Sequence, residues 1–421
     1  MDTARLDDGL YRTRTPSGLT VLSEILPGVR SVAMGIWVQT ASAHEDRRRM
    51  GVSHLLEHMV FKGSERRTAK QLAMDLEIRG GSLDAYTSRD HTSYQAHVLD
   101  ADLPIAVDIL TDLVRRPLLR ETDLAMERKV VLEEIHGVLD TPDELVFEVH
   151  SATLWPEHPY GFSILGTSDS VTALTAADLQ ALHAADYYPG NCVIAAAGNV
   201  VHEDLLNLLE REGWLDDQSA IPSQAPVEPA PAVQGVRRVE VRDTAQAHIV
   251  MGSEAFPYAD PRRYALSMLT NAFGGGMSSR LFQRIRENLG LAYAIFAFQQ
   301  LYRSAGQIGV YVGTQPATAD KAIEAINREF AILAREGLPP DEVADSKRQL
   351  KGHIMLALES AGSRMNRLAT VALHGDPYRP LEEILATIDA VTTEDIAAVS
   401  QELFAPERQT TVILGPSTNG K

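Results

Sequence analysis

The alternation of apolar and polar positions divides this chain into strand-like and helix-like stretches. TVLSEIL (20–26) and SVAMGIWVQTAS (31–42) are rich in Val, Ile and Thr, which predicts two strands. GVSHLLEHMVFKG (51–63) has the spacing of a helix, as does TAKQLAMDLEIRGG (68–81), which stops at Gly80-Gly81. SLDAYTS (82–88) and TSYQAHVL (92–99) then read as two further strands. Long helices are expected over about 101–155, broken near Asp140 by Pro142 in DTPDE.

A seam follows at residues 218–233, QSAIPSQAPVEPAPAV. Four prolines among small residues make a semi-extended linker. It separates an N-terminal domain, 1–217, from a C-terminal domain, 234–421. The two parts look related. TAADLQALHAADYYPGNCVIAAAG (175–198) and TTEDIAAVSQELFAPERQTTVILG (392–415) align without a gap at a shift of 217. Thr175 falls on Thr392, Asp178 on Asp395, Pro189 on Pro406 and Gly198 on Gly415. Each piece is a capped helix, a proline turn and an apolar β-run, and that order points to duplication. The fold class expected is therefore α+β: two homologous domains, each a mainly antiparallel sheet packed on one face by helices.

Charge narrows the partners. With 57 acidic and 39 basic residues the net charge is −18, which argues against nucleic-acid binding and suits basic peptides. The single cysteine, Cys192, excludes an intrachain disulfide and sits in an apolar run as a buried strand residue would. No stretch is long and apolar enough to span a membrane. The N-terminus lacks the features of a signal or transit peptide, so a cytoplasmic location is expected.

The candidate chemistry lies at residues 54–58, His-Leu-Leu-Glu-His. On a helix, His54 and His58 share a face and can meet one ion at about 2.0–2.1 Å. Glu57 stands beside them as a general base for an attacking water, in the H-x-x-E-H order. Such a motif arises by chance in roughly a few chains per hundred. Here, however, the histidines sit in an apolar stretch, where a metal offsets the cost of burying them. A catalytic zinc needs a third protein ligand and an open position. MERKVVLEEIHGVL (126–139) offers Glu127, Glu133 and Glu134; of these, Glu127 and Glu134 lie seven apart on one helix face. Pattern alone does not choose among them. A structural zinc site would favour cysteines, and the chain has one.

HLLEHMVFKGSERRTA, GGSLDAYTSRDHTSY and ERKVVLEEIHGVLDTPDELVFE closely resemble the pitrilysin/insulysin-type inverted-motif zinc peptidases, above all the catalytic (beta) subunit of mitochondrial processing peptidase and its bacterial homologues. The resemblance implies a zinc endopeptidase with one Zn2+ per chain. It makes Glu134, 76 residues beyond His58, the third ligand and Glu127 the glutamate that orients a ligand. GGGMSSRLFQRIRENLGLAY resembles the family's Arg…Tyr segment, so Arg286 and Tyr293 are expected to bind substrate and stabilise the transition state. SLDAYTS resembles the substrate-binding edge strand, with Asp84, Ala85 and Tyr86 as its contacts, although many homologues carry Asn at the Asp84 position. Glu144 and Glu148 match the acidic pair that reads an arginine near the cleaved bond. The family's chamber is built from four such domains, which implies a homodimer of this chain with Arg286 and Tyr293 acting across the interface. The competing expectation is a non-catalytic homologous subunit or scaffold protein. Such relatives have usually lost part of the H-x-x-E-H set, which is complete here.

Overall fold

A computed structural model describes residues 1–215, 227–232 and 234–416. Of the proline-rich stretch at 218–233, residues 227–232 form neither helix nor strand, and the rest lies outside the described residues. The chain divides into two compact units. One gathers Met1–Ile135, Ser163–Pro226 and Leu356–Tyr378; the other gathers His136–Phe162, Val227–Met355 and Arg379–Lys421.

The first unit is built on a seven-stranded sheet. Its strands are β1 (Asp2–Asp7), β2 (Leu10–Arg14), β3 (Thr20–Ile25), β4 (Ser31–Val38), β5 (Ser82–Thr87), β6 (Thr92–Leu99) and β7 (Cys192–Gly198). They are ordered β1-β2-β3-β7-β4-β6-β5 and are antiparallel except for the β3–β7 pair. The central strand β7 shows why the sheet is covered on both sides. All of its residues are buried. Cys192, Ile194 and Ala196 join a core with Leu55, Leu56 and Met59, while Val193, Ala195 and Ala197 join a second core with Met365, Leu368 and Leu373. That division is the two-residue period of a strand. Burial pushes the Cys192 thiol up to about 12, so it is an inert core residue.

The second unit holds a five-stranded sheet of β8 (Arg237–Val241), β9 (Ala247–Ala255), β10 (Ala292–Leu301), β11 (Gly306–Thr314) and β12 (Thr410–Gly415), ordered β10-β11-β9-β12-β8. Only β12 and β8 run parallel. The helix Pro142–Leu154 packs Leu145 and Val146 against Val250, Tyr311, Val412 and Leu414 of this sheet.

The expectation of helices on one face of each sheet is corrected here. Among the described residues, the other face carries one helix: Ala361–Leu373 on the first sheet and Pro142–Leu154 on the second. Each of these comes from the opposite half of the sequence. The central strands are apolar on both faces, and a sheet so composed must be covered on both. The fold class itself, two α+β domains of helix-packed, mainly antiparallel sheets, is as expected.

The repeat seen in the sequence has a structural counterpart. Thr175 and Thr392 are both helix N-caps, accepting from the backbone of Asp178 and Asp395, whose side chains return the bond in capping boxes. Pro189 and Pro406 each open a 3₁₀ turn. The strand order β3-β7-β4-β6-β5 then recurs as β8-β12-β9-β11-β10. Among the described residues, no helix is long and apolar enough to cross a membrane.

Candidate metal centre

The His-Leu-Leu-Glu-His motif lies on the helix Val52–Val60, whose apolar residues Leu55, Leu56 and Met59 anchor it in the first unit's core. Its start is held by a residue that local pattern does not reveal. The buried Glu45 carboxylate accepts from Gly51 N and Ser53 N, each at 2.8 Å. It thereby satisfies N–H groups at a helix start and places negative charge at the positive end of the helix dipole. Burial nonetheless pushes Glu45 up to about 7, against the opposing pull of those donors.

A carboxyl raised in the folded state keeps its proton there longer than in the unfolded chain. The wild type should therefore lose stability as pH rises from about 4.5 to about 7, by on the order of 3 kcal/mol at full ionisation. A Glu45→Gln variant, which lacks one of the two acceptor oxygens at every pH, should lack this slope. Thermal unfolding of both proteins across that window checks the sign; parallel curves would remove the assignment.

Three side chains converge beyond this helix start. His54, His58 and Glu134 each offer a ligand atom within 4.8 Å of the others. His54 Nε2 lies 3.6 Å from Glu134 Oε2, and His58 Nε2 lies 3.6 Å from Glu134 Oε1. These separations are too long for hydrogen bonds. They are close to the edge of about 3.3 Å that tetrahedral bonds of about 2.0–2.1 Å produce. Burial, and then the neighbouring His58, holds the His54 imidazole down at about 4, in the neutral form that a metal ligand requires. The donor set of two imidazoles and one carboxylate thus fits zinc.

The surrounding groups hold these ligands in place. Glu127 Oε2 lies 3.3 Å from His58 Nδ1, and Lys62 Nζ reaches Glu127 Oε1 at 2.6 Å. A carboxylate on Nδ1 fixes the tautomer that leaves Nε2 free for a metal. Glu127 and Glu134 share the helix Glu121–Asp140, so its one face supplies both groups, while Glu133 on the same helix is exposed. Glu57 turns toward β5, where Thr87 Oγ1 donates to its Oε2 at 2.6 Å. Burial raises the Glu57 carboxyl above its ordinary range, and the Thr87 bond opposes that rise.

The strand carrying Asp84, Ala85 and Tyr86 is an edge. Among the described residues β5 pairs with β6 alone, and its burial alternates from residue to residue. Asp84 and Tyr86 are exposed and Ala85 is half-buried; the Tyr86 hydroxyl reaches His91 Nε2 at 3.2 Å.

The remaining site residues belong to the second unit. Arg286 lies on a short π-helical segment, Phe282–Asn288, with its guanidinium 4.9 Å from the ring centre of Tyr293. Tyr293 is 78% exposed. Gly274 ends the preceding helix, and the glycines after it turn the chain before this segment. Glu144 is exposed and Glu148 half-buried on the helix Pro142–Leu154.

Sequence reasoning missed Glu45, Lys62 and Thr87. Lys62 had a signal, four residues beyond His58 and so near it at the helix end. Thr87 lay within the quoted edge strand. Glu45 had none, because a loop carries it back to the helix.

Two helices and an edge strand bring an H-x-x-E-H motif and a third carboxylate together on an α+β sheet, as a candidate metal site. Residues 20–168 match the family described as insulinase (peptidase family M16), and residues 173–350 match the peptidase M16 inactive domain. An uncharacterized zinc protease of Streptomyces coelicolor is 36% identical over 96% of this chain and 89% of its own length. One from Bacillus subtilis is 35% identical over 97% and 99%. A solved structure titled as a peptidase M16 inactive domain, from Pseudomonas fluorescens, superposes with a TM-score of 0.91 at 21% identity, over 98% of this chain and 99% of that one. A protease from Helicobacter pylori gives 0.90 at 22% identity, over 97% and 99%. This chain belongs to peptidase family M16, the pitrilysin type. The inactive-domain match falls mainly on the half that carries no His-x-x-Glu-His.

Proposed function

We infer that this protein is a zinc-dependent endopeptidase. The observation that carries the reading is the convergence of His54, His58 and Glu134, with Glu57 beside them and tied to an edge strand. His54, His58 and Glu134 would hold one zinc per chain. Bound there, zinc supplies Lewis acidity, making a water more acidic and polarising a scissile carbonyl. Glu57 takes the proton of the attacking water and passes it to the leaving amine. The uncovered main chain of β5 at Asp84, Ala85 and Tyr86 accepts the peptide as an added strand. Such binding reads backbone more than sequence, which suits an endopeptidase acting on peptides or presequence-like segments.

Arg286 and Tyr293 stabilise the oxyanion. By the family resemblance they do so in a homodimer, each chain serving its partner's zinc. Glu144 and Glu148 would favour basic residues near the cleaved bond, in keeping with the net charge of −18. Likeness to the processing peptidase subunit belongs to this same proposal. Mapping cleavage sites in a peptide mixture, with and without a chelator, tests the reading. Cleavage that survives complete zinc removal would overturn it. A wild-type chain that holds zinc but cleaves nothing would establish the non-catalytic subunit instead.

The Glu127 contact gives a separate expectation. Glu127→Gln weakens the acceptor on His58 Nδ1 and should reduce zinc affinity by roughly 10- to 100-fold. Competition against a chromophoric chelator measures this without any substrate. Unchanged affinity would mean that Glu127 serves Lys62 alone.

A further inference from the structure

The internal repeat leaves one strand without a counterpart to its neighbour. In the first unit the outer side of β3 is covered by β2, which runs antiparallel to it. The equivalent strand in the second unit is β8, and among the described residues it pairs with β12 alone. The difference shows in exposure. The middle of β3 is buried, whereas four of the five residues of β8 are exposed. Val239 and Val241 are 58% and 62% exposed.

The free edge has a defined set of groups. Val236 O accepts from Thr411 N, and Arg242 N donates to Gly415 O. In a parallel pair this turns the even-numbered residues of β8 toward β12. Arg237, Val239 and Val241 therefore aim their N–H and C=O groups outward. The sequence of the strand, Arg-Arg-Val-Glu-Val, is complementary to itself in reverse. A two-fold axis at Val239 is the register that pairs all five residues. Val239 then faces Val239 of a second copy, Arg237 faces Val241, and Arg238 faces Glu240 on both sides.

We propose that β8 is a homotypic docking edge, on which a second copy of this chain adds its own β8 in antiparallel register centred on Val239. About six main-chain hydrogen bonds close the edge, because every outward residue falls in a hydrogen-bonded pair. Arg238 and Glu240 fall in the non-hydrogen-bonded pairs, where opposed side chains approach most closely. They already pair along one strand at 3.2 Å, so the dimer closes a ring of four alternating charges. The exposed Val239 gains an apolar partner in its own counterpart, and Val241 meets the aliphatic stem of Arg237. A five-residue ladder buries little area, which places this contact in the transient, concentration-dependent class. It involves no residue of the metal centre and does not depend on peptidase activity.

Disulfide capture tests the register. Opposed Cα atoms at about 5.5 Å lie within disulfide range. Val239→Cys is expected to form a covalent dimer under mild oxidation, while the buried Cys192 stays silent. Val201→Cys, 51% exposed in the first unit, controls for random collision. On the Val239→Cys background, Arg238→Glu sets Glu against Glu, and Glu240→Arg sets Arg against Arg. Each single change should lower self-capture on the order of ten-fold. The two variants mixed, or both changes in one chain, should restore it. Capture no greater than the Val201→Cys control, or charge variants that self-capture like the parent, overturns the proposal.

Discussion

A Glu57→Gln chain is expected to bind one zinc as the wild type does and to lose peptide hydrolysis by about 10²- to 10⁴-fold. The amide keeps the shape of the side chain, and its oxygen can still accept from Thr87 Oγ1, which holds Glu57 at 2.6 Å. Residue 57 is not among the three side chains that converge, His54, His58 and Glu134, so that donor set is untouched. What disappears is the ability to take a proton. Metal content and kcat/KM on a quenched peptide, measured on the same preparation, separate the two effects. Hydrolysis at the wild-type rate would remove Glu57 as the base. Loss of zinc together with loss of rate would recast it as part of the metal cradle. By contrast, His54→Ala should lose both.

How far this site could be read from sequence depends on the distance over which each residue acts. His54, Glu57 and His58 are legible because a helix brings positions four apart together, and the apolar Leu55, Leu56 and Met59 mark its buried side. The carboxylate partner is a different matter. Pattern left Glu127, Glu133 and Glu134 open, and helix geometry grouped the first with the third without giving either a role. The fold uses both: Glu134 converges with His54 and His58, and Glu127 lies on His58 Nδ1. Family resemblance made that distinction; periodicity did not. Glu45 acts across a loop, so its role at the start of the motif helix emerges only once the chain is folded.

The fold shows the same gradient. Capped helices, the proline turns and the apolar strands β7 and β12 are local features, and the repeat at a shift of 217 made them legible twice. The covering helices were not. Pro142–Leu154 falls within the long helices expected over about 101–155, Ala361–Leu373 was given no element, and no local rule tells which sheet a helix will cover. The β1–β2 hairpin was missed for a related reason. Its first strand alternates only briefly, over Thr3–Asp7, with Ala4 and Leu6 as its apolar positions and neither of them fully buried, a signal too short to mark a strand by itself.

Mixing a His54→Ala chain with an Arg286→Ala chain is expected to recover activity that neither has alone. His54, His58 and Glu134 lie in the first unit and the Arg286–Tyr293 pair in the second. If each zinc is served by the partner's pair, a mixed dimer joins one intact metal centre to one intact Arg286. Its other site carries both defects. Equal mixing with free exchange makes half of the dimers mixed, so recovery should reach about a quarter of the wild-type activity. The exposed Tyr293 and its stacking against Arg286 suit a pair that presents itself to a ligand rather than to its own core. A control combines both substitutions in one chain and mixes it with the wild type. There, half of the sites in a mixed dimer pair a wild-type zinc with a missing arginine, and the other half the reverse. Every mixed dimer is then dead, and activity falls below the share of wild-type chains added. Arrangement within one chain predicts the opposite for both mixtures: no recovery in the first, and activity proportional to wild-type chain in the second.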